Sequence, residues 1–343
     1  MSGHPSPPSA PRRLPRWLKI SALAALVVVV VVVGGVWWAV KSAESAFRQS
    51  ATVNADVVDE LEVVLPDEPV YFLILGSDSR EGVDVEEFGD SAGARSDVVM
   101  IARLDPHLDD VTLLSIPRDT WVPIPGHGED QVNVAFDVGG PQLMIETVRD
   151  VFGLPINHYV EIGFVGFQDL VDQLGGVEMT FDRAARDLRT HLEVGAGTVL
   201  MDGSQALAFA RSRQYQEFVD GEWVGVPATE FGRTKRQQQL VKAILARLRR
   251  PSTLTEADSI VASFAQHMSV DATLADSSLM SLAFAFRGVA GSDIGAATLP
   301  TRAVKMDGVR VRMPDEPAAD ETLDAFRSGR PMDEPAPTAS LSR

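Results

Sequence analysis

From Val70 onward the chain alternates short, unbroken apolar runs with longer amphipathic stretches. The runs "VYFLIL", "DVVMIARL" and "VTLLSI" are rich in β-branched and aromatic residues and are bounded by Gly, Asp or Pro, the pattern of strands buried on both faces of a sheet. "NHYVEI", "GVEMTF", "IGAATLP" and "VRVRM" read as further strands. Between them, helical periodicity runs through "PQLMIETVRDVF", with Pro141 at a helix start after two glycines, and through "GFVGFQDLVDQL", which ends at Gly175-Gly176. It returns in "DGSQALAFARSR" and in "GRTKRQQQLVKAILARLRR", which stops before Pro251. Thr255 to Met268, Leu274 to Arg287 and Pro317 to Arg327 are expected as three more helices. Strands alternating with helices predict an α/β fold, a single mixed β-sheet flanked by helices.

The longest apolar run precedes this domain. Ile20 to Val40 carries no charge, and about 20 such residues cross roughly 30 Å of hydrocarbon as one transmembrane helix. Arg12, Arg13, Arg16 and Lys19 lie before it with no acid, so the positive-inside rule leaves residues 1–19, a Pro- and Ser-rich disordered tail, in the cytoplasm and sends the rest across the cell membrane. The small residues of "SAESA" would suit a cleaved signal peptide, but the run exceeds the usual h-region of about 7–15 residues, which favours a retained single-pass anchor. The expected organisation is a stalk over 41–69, one domain over 70–328 with its motifs in 70–250, and a disordered tail over 329–343.

Charge narrows the function. Four of the 31 bases precede residue 41, so the part beyond sets 27 bases against 48 acids, a net charge of −21. Such a surface is a poor footprint for nucleic acid. The chain has no cysteine, which excludes disulfides, a thiol nucleophile and thiolate metal ligands. There is also no G-x-x-x-x-G-K-[ST] loop, no G-x-S-x-G elbow and no H-E-x-x-H helix, and the six histidines are scattered.

Within this acidic domain, arginine and aspartate recur where an apolar run meets a loop. "ILGSDSR" carries Asp78 and Arg80, "GARSDVVM" Arg95 and Asp97, "SIPRDTWVPIPG" Arg118 and Asp119, and "AFARSRQ" Arg211 and Arg213. One such pair on a surface is an ordinary solvated ion pair. Four sets beside buried runs are costly unless an anion neutralises them. Ligands of α/β sheets bind beyond the carboxyl ends of strands, and antiparallel neighbours would bring all four stretches to one rim. Arginine forks suit phosphate oxygens, and Asp78 and Asp97 offer the hard oxygens that Mg²⁺ takes beside waters and substrate phosphates. The expected ligand is a pyrophosphate with one metal. Farther on, Arg233 and Gln237 are four residues apart on one helix face near a helix N-terminus, a second anion-favouring position, while Arg236 reads equally well as solvated.

In this order and with these gaps, "LILGSDSR", "RSDVVMIARLDP", "VTLLSIPRDTWVPIPG", the long stretch from "VNVAFDVGG" to "LVDQLGGVE", "LMDGSQALAFARSR" and "FGRTKRQQQLVKAIL" resemble the LytR-CpsA-Psr family of cell-envelope phosphotransferases. The resemblance covers Val70 to about Leu248. It implies an extracytoplasmic enzyme that moves a glycopolymer, such as an arabinogalactan or a teichoic acid, from a polyprenyl-pyrophosphate carrier to a muramic-acid hydroxyl of peptidoglycan, with the prenyl tail in an apolar tunnel between sheet and helices. By position it makes Asp78 and Asp97 the ligands of Mg²⁺, or of another divalent cation such as Mn²⁺. Arg95, Arg118, Arg211, Arg213, Arg233 and Gln237 become the pyrophosphate-binding set, joined by Arg80, and Asp78, Asp97 and Arg118 carry the catalysis. Gln131 stands where many members have Lys, and Glu230 where Asp is usual. "QYQEFVDGEWVGVPAT", between the arginine pair and the last helix, reads as a surface loop. The competing functions are a hydrolase that cleaves the carrier pyrophosphate with water, and a non-enzymatic lipid-binding scaffold or regulator.

Overall fold

The computed structural model describes residues 45, 51–65, 67–77, 96–107, 110–226, 230–248, 266–276, 294–306 and 308–332, without the side chains at 96, 97, 110, 230, 231, 248, 276, 309 and 310. The expected cytoplasmic tail, the anchor over 20–40, the start of the stalk, most of the helices expected over 255–268 and 274–287, and the tail from 333 lie outside the described residues. Among the described residues no helix is long and apolar enough to cross a membrane.

The centre is a seven-stranded sheet built from β1 (Thr52–Asn54), β2 (Val70–Ser77), β3 (Ser96–Asp105), β4 (Asp110–Ile116), β5 (His158–Gly163), β6 (Met268–Asp271) and β7 (Ile294–Thr298). Their spatial order is β1-β6-β5-β2-β3-β4-β7. The sheet is mixed: β1 with β6, β5 with β2 and β4 with β7 are parallel, and the other neighbours antiparallel. Among the described residues six α-helices accompany it: α1 (Val134–Phe152), α2 (Phe164–Gln173), α3 (Gly203–Arg211), α4 (Glu230–Leu248), the short α5 (Ala272–Asp276) and α6 (Ala318–Ser328).

The apolar runs have no polar alternation because both faces of the sheet are covered. Tyr71, Leu73, Leu75, Val99 and Ile101 face a core completed by Met144, Ile145 and Val148 of α1 and by Leu323 and Phe326 of α6. Their neighbours Phe72, Ile74, Met100 and Ala102 face the other way, towards Val241 and Leu245 of α4. On that side α2, α3 and α4 share a second core around Leu170, Phe209 and Leu240. Within α1, Gly140 leaves helical geometry at φ 62° directly before Pro141, so a second helical segment starts at the proline, as its fixed φ favours. Asp202 caps α3 by accepting from the Gln205 amide at 2.8 Å, and Gln205 returns the bond to the Asp202 N–H.

Four expectations need correction. The single sheet is joined by a four-stranded sheet, 192–194, 185–187, 216–219 and 222–225 in spatial order, and by three two-stranded ribbons. The stretch expected as a surface loop supplies two of those strands, turning at Asp220 and Gly221 with both φ values positive. This is the Asp-Gly turn whose twist matches a hairpin. Part of the expected stalk also folds into the domain: β1 pairs with β6, Val57 is fully buried, and the Glu62 N–H donates to Ile156 O at 2.8 Å. Met268, expected at a helix end, lies in β6.

Candidate functional site

The sheet register gathers one rim. Ser77 ends β2 opposite Gly163, the end of β5, and Gly76 and Ser77 pair with Val98 and Ser96 at the start of β3, across an irregularity in the ladder. Val99 pairs with Ile116, the end of β4, and Arg118 follows two residues on. The strand ends expected to carry the chemistry therefore meet at the same edge. Asp78, Arg80 and Arg95 lie outside the described residues, and Asp97 is placed by its backbone alone, in β3 at this rim.

Below the rim, between the sheet and α2, α3 and α4, lies a cavity of about 340 Å³. Its walls are apolar: Ile74 and Leu75 of β2, Val98 and Met100 of β3, Phe164 and Phe167 of α2, Leu207 of α3, and Leu240 and Val241 of α4. At its mouth stand Arg211, Arg213, Arg233 and Gln237. Four residues singled out in the sequence, from two separate stretches, thus converge on one opening. Arg118 is at the rim but does not line the cavity; its Nε lies 3.2 Å from Asp119 Oδ1 and its side chain is largely buried.

Each mouth side chain is held by its own element. Arg211 ends α3, with its guanidinium 4.8 Å from the Phe164 ring centroid. Arg233 and Gln237 fall one turn apart on α4 and are both buried, and Gln237 Nε2 donates to Ala210 O at 3.4 Å. Gln238 pins α4 to the sheet: its Nε2 donates to Ser115 Oγ at 2.9 Å and to Ala297 O at 2.7 Å.

Sequence reasoning missed the anchor of the arginine loop, Asp187. Fully buried, it accepts from Ser212 Oγ at 2.7 Å and from the backbone N–H groups of Arg213, Gln214 and Arg189 at 2.9, 2.7 and 2.9 Å. Burial pushes its carboxyl upward, but the bond from Ser212 and the three N–H donors outweigh burial and hold it below the usual carboxylate range. Arg189 and Thr190, which follow it, also line the cavity. Arg236 is not a solvated helix residue. It donates to Ser212 O, and its guanidinium sits 5.0 Å from the Tyr215 ring centroid. Burial lowers its pKa, and Tyr215 and Asp187 offset part of that. No stretch of local sequence marked Asp187, because three of its four partners are 25 to 27 residues away and its partners are mostly backbone amides.

A cluster of guanidiniums with an apolar hollow behind it suits an amphiphile with an anionic head. The LytR_cpsA_psr family model matches residues 36–328. The chain belongs to the LytR_cpsA_psr family. Among its relatives, the probable cell wall biosynthesis protein LcpB of Corynebacterium glutamicum is 38% identical over 53% of this chain and 43% of its own length. TagU of Bacillus cereus, named a polyisoprenyl-teichoic acid–peptidoglycan teichoic acid transferase, is 34% identical over 62% of this chain and 63% of its own. The chain therefore spans less than two-thirds of the length of either of these two relatives. TagU of Enterococcus faecalis, which bears the same name, is 30% identical over 73% of this chain and 76% of its own length. The fold is that of the LytR-Csp2A-Psr enzyme from Actinomyces oris, with a TM-score of 0.60 at 24% identity over 81% of this chain and 96% of that one. It is equally that of TagV from B. subtilis, with a TM-score of 0.62 at 22% identity over 79% and 100%.

Proposed function

We propose that this family member is an extracytoplasmic phosphotransferase, held to the cell membrane by residues 20–40, that moves a glycopolymer from a polyprenyl-pyrophosphate carrier to a peptidoglycan hydroxyl. The observation that carries this reading is the 340 Å³ apolar cavity closed by Arg211, Arg213, Arg233 and Gln237. An apolar wall accepts an isoprenoid, and fixed guanidinium forks accept its pyrophosphate. The transferase names of the TagU relatives support the same reaction class.

In the reaction, the acceptor oxygen forms a bond to the phosphorus that bears the glycopolymer, and the bond from that phosphorus to the bridging oxygen breaks. Polyprenyl phosphate leaves with the electron pair, and the hydroxyl proton passes to solvent or to a rim carboxylate. No nucleotide is consumed, because the energy is stored in the donor. The protein's part is positioning and charge neutralisation: Arg211, Arg213 and Arg233 hold the pyrophosphate oxygens and stabilise the departing phosphate, and Arg118 approaches from the end of β4. A divalent metal fits by donor class. The backbone sets Asp97 beside Gly76 and Ser77, directly before Asp78 in sequence, and two carboxylates are the number Mg²⁺ usually takes from protein. When bound, it would add positive charge against the pyrophosphate oxygens.

The test uses the full chain in detergent with a prenyl-pyrophosphoryl glycan and a peptidoglycan oligomer. Asp97→Ala and Arg118→Ala are each expected to abolish transfer while thermal unfolding stays within a few degrees of the parent. Full transfer by either variant refutes the assignment, and polymer released rather than ligated identifies a hydrolase instead.

A further inference from the structure

Beside the donor mouth, the small four-stranded sheet presents a face that the donor does not use. Cross-strand partners and residues two apart share a face. The register Glu193–Arg186–Gln216 and the pair Phe218–Trp223 therefore put five side chains on one side of this sheet. Its other side, with Ala185, Asp187, Leu192 and Val194, is buried. On the open side, Arg186 Nε donates to Gln216 Oε1 at 2.8 Å, and its guanidinium lies 4.2 Å from the Trp223 ring centroid. Phe218 packs on Trp223 at 5.2 Å and leaves 44% of its surface to solvent. At the end of this face is a second, open hollow of about 250 Å³ lined by Arg186, Asp187, Leu188, His191, Leu192 and Glu193. Asp187 lines both this hollow and the donor cavity, so the two meet at that residue.

We infer that this face and hollow bind the acceptor glycan. The inference rests on the transferase reading and names the site that reading lacks. A pyranose chain has flat C–H faces that stack on aromatic rings, and hydroxyl and amide groups that pair with amides, guanidiniums and carboxylates; the face offers both in a fixed array. Its position fits the chemistry, because an attacking hydroxyl must lie next to the pyrophosphate and the two hollows share a wall. An anionic membrane surface is the other conceivable partner for exposed aromatics. The strands and turn carrying Phe218 and Trp223 also bear Glu217, Asp220 and Glu222, with Glu193 alongside, and these repel such a surface.

The test is calorimetric binding of a soluble peptidoglycan glycan of two disaccharide repeats to the full chain in detergent, with no donor present. Phe218→Ser is expected to weaken binding about tenfold, as expected when one aromatic contact is lost, and Phe218→Tyr to restore it. In the transfer assay the acceptor KM rises by the same factor in Phe218→Ser, while the donor KM stays within about twofold. Unchanged glycan affinity in Phe218→Ser, with thermal unfolding like the parent's, overturns the inference. So does a loss of binding to phosphatidylglycerol vesicles with glycan binding intact. If the parent chain binds the glycan through Phe218 but transfers nothing, the acceptor site stands and the transferase reading falls.

Discussion

Asp187 organises the mouth from behind. Three of its four hydrogen-bond donors, Ser212 Oγ and the Arg213 and Gln214 N–H groups, fix the backbone from Ser212 to Gln214, and so set where Arg211 and Arg213 point. Asp187→Asn turns an acceptor-only carboxylate into a group that must present N–H to some of these donors. It is expected to lower stability by about 1.5–3 kcal/mol in denaturant titration and to raise the donor KM. The pH dependence follows from the direction of its shift. A carboxyl held below its unfolded value of about 3.9 contributes stability that is complete above that value and is lost as pH falls through the native pKa. Asp271 adds a second such group. Burial raises it, but His158, Thr273 and the Tyr159 N–H outweigh burial and hold it low. Asp187→Asn should therefore flatten the loss of stability below pH 4, and an unchanged acid slope would contradict this. The arginines were legible in the sequence because charge beside apolar runs is conspicuous. Asp187 was not, since a carboxylate that serves distant backbone amides leaves no local pattern.

At the scale of elements, α4 is the plate that closes the cavity, and Gln238 fastens it. Gln238→Ala removes the donor from Ser115 Oγ and Ala297 O inside the protein, and an expected loss of about 1–3 kcal/mol is measurable by denaturant unfolding. The α2–α3 crossing depends on Gly203, where an added Cβ would fall 2.3 Å from Gln168 O. Gly203→Ala should cost about 1–3 kcal/mol through overpacking, with a lower Tm as the readout. Strands and helices of the main layers were readable because their periods differ and their ends carry caps, as Asp202 shows. The hairpin over 216–225 was misread as a loop despite its Asp220-Gly221 turn, because the run around the turn mixes acids with aromatics and lacks a clean apolar alternation. β1 was misread for another reason. Three residues at a sheet edge are too short for any period, and only the parallel partner at Ser269–Asp271 defines them.

The whole molecule places a greasy hollow and a cationic mouth on one side of an otherwise acidic domain, the side that the proposed carrier would have to reach. If the hollow holds the isoprenoid, narrowing it should act on the lipid alone. Val241→Trp, on the α4 wall, is expected to raise the KM for a long-chain donor at least about tenfold, to spare a donor with a two-isoprene chain, and to leave Tm equal or higher. Equal loss for both donors would place the prenyl chain elsewhere. The α/β layering was legible from hydropathy and motif order, whereas the apolar hollow was expected only through the family resemblance, because its lining comes from seven elements spread over residues 74–241 and no local pattern marks it. The most direct measurement incubates the full chain in detergent with a synthetic prenyl-pyrophosphoryl glycan, Mg²⁺ and a peptidoglycan oligomer, and follows products by mass spectrometry. The account predicts a phosphodiester-linked adduct and free prenyl phosphate in equal amounts. Prenyl phosphate with only unligated glycan phosphate, or an untouched donor, would contradict it.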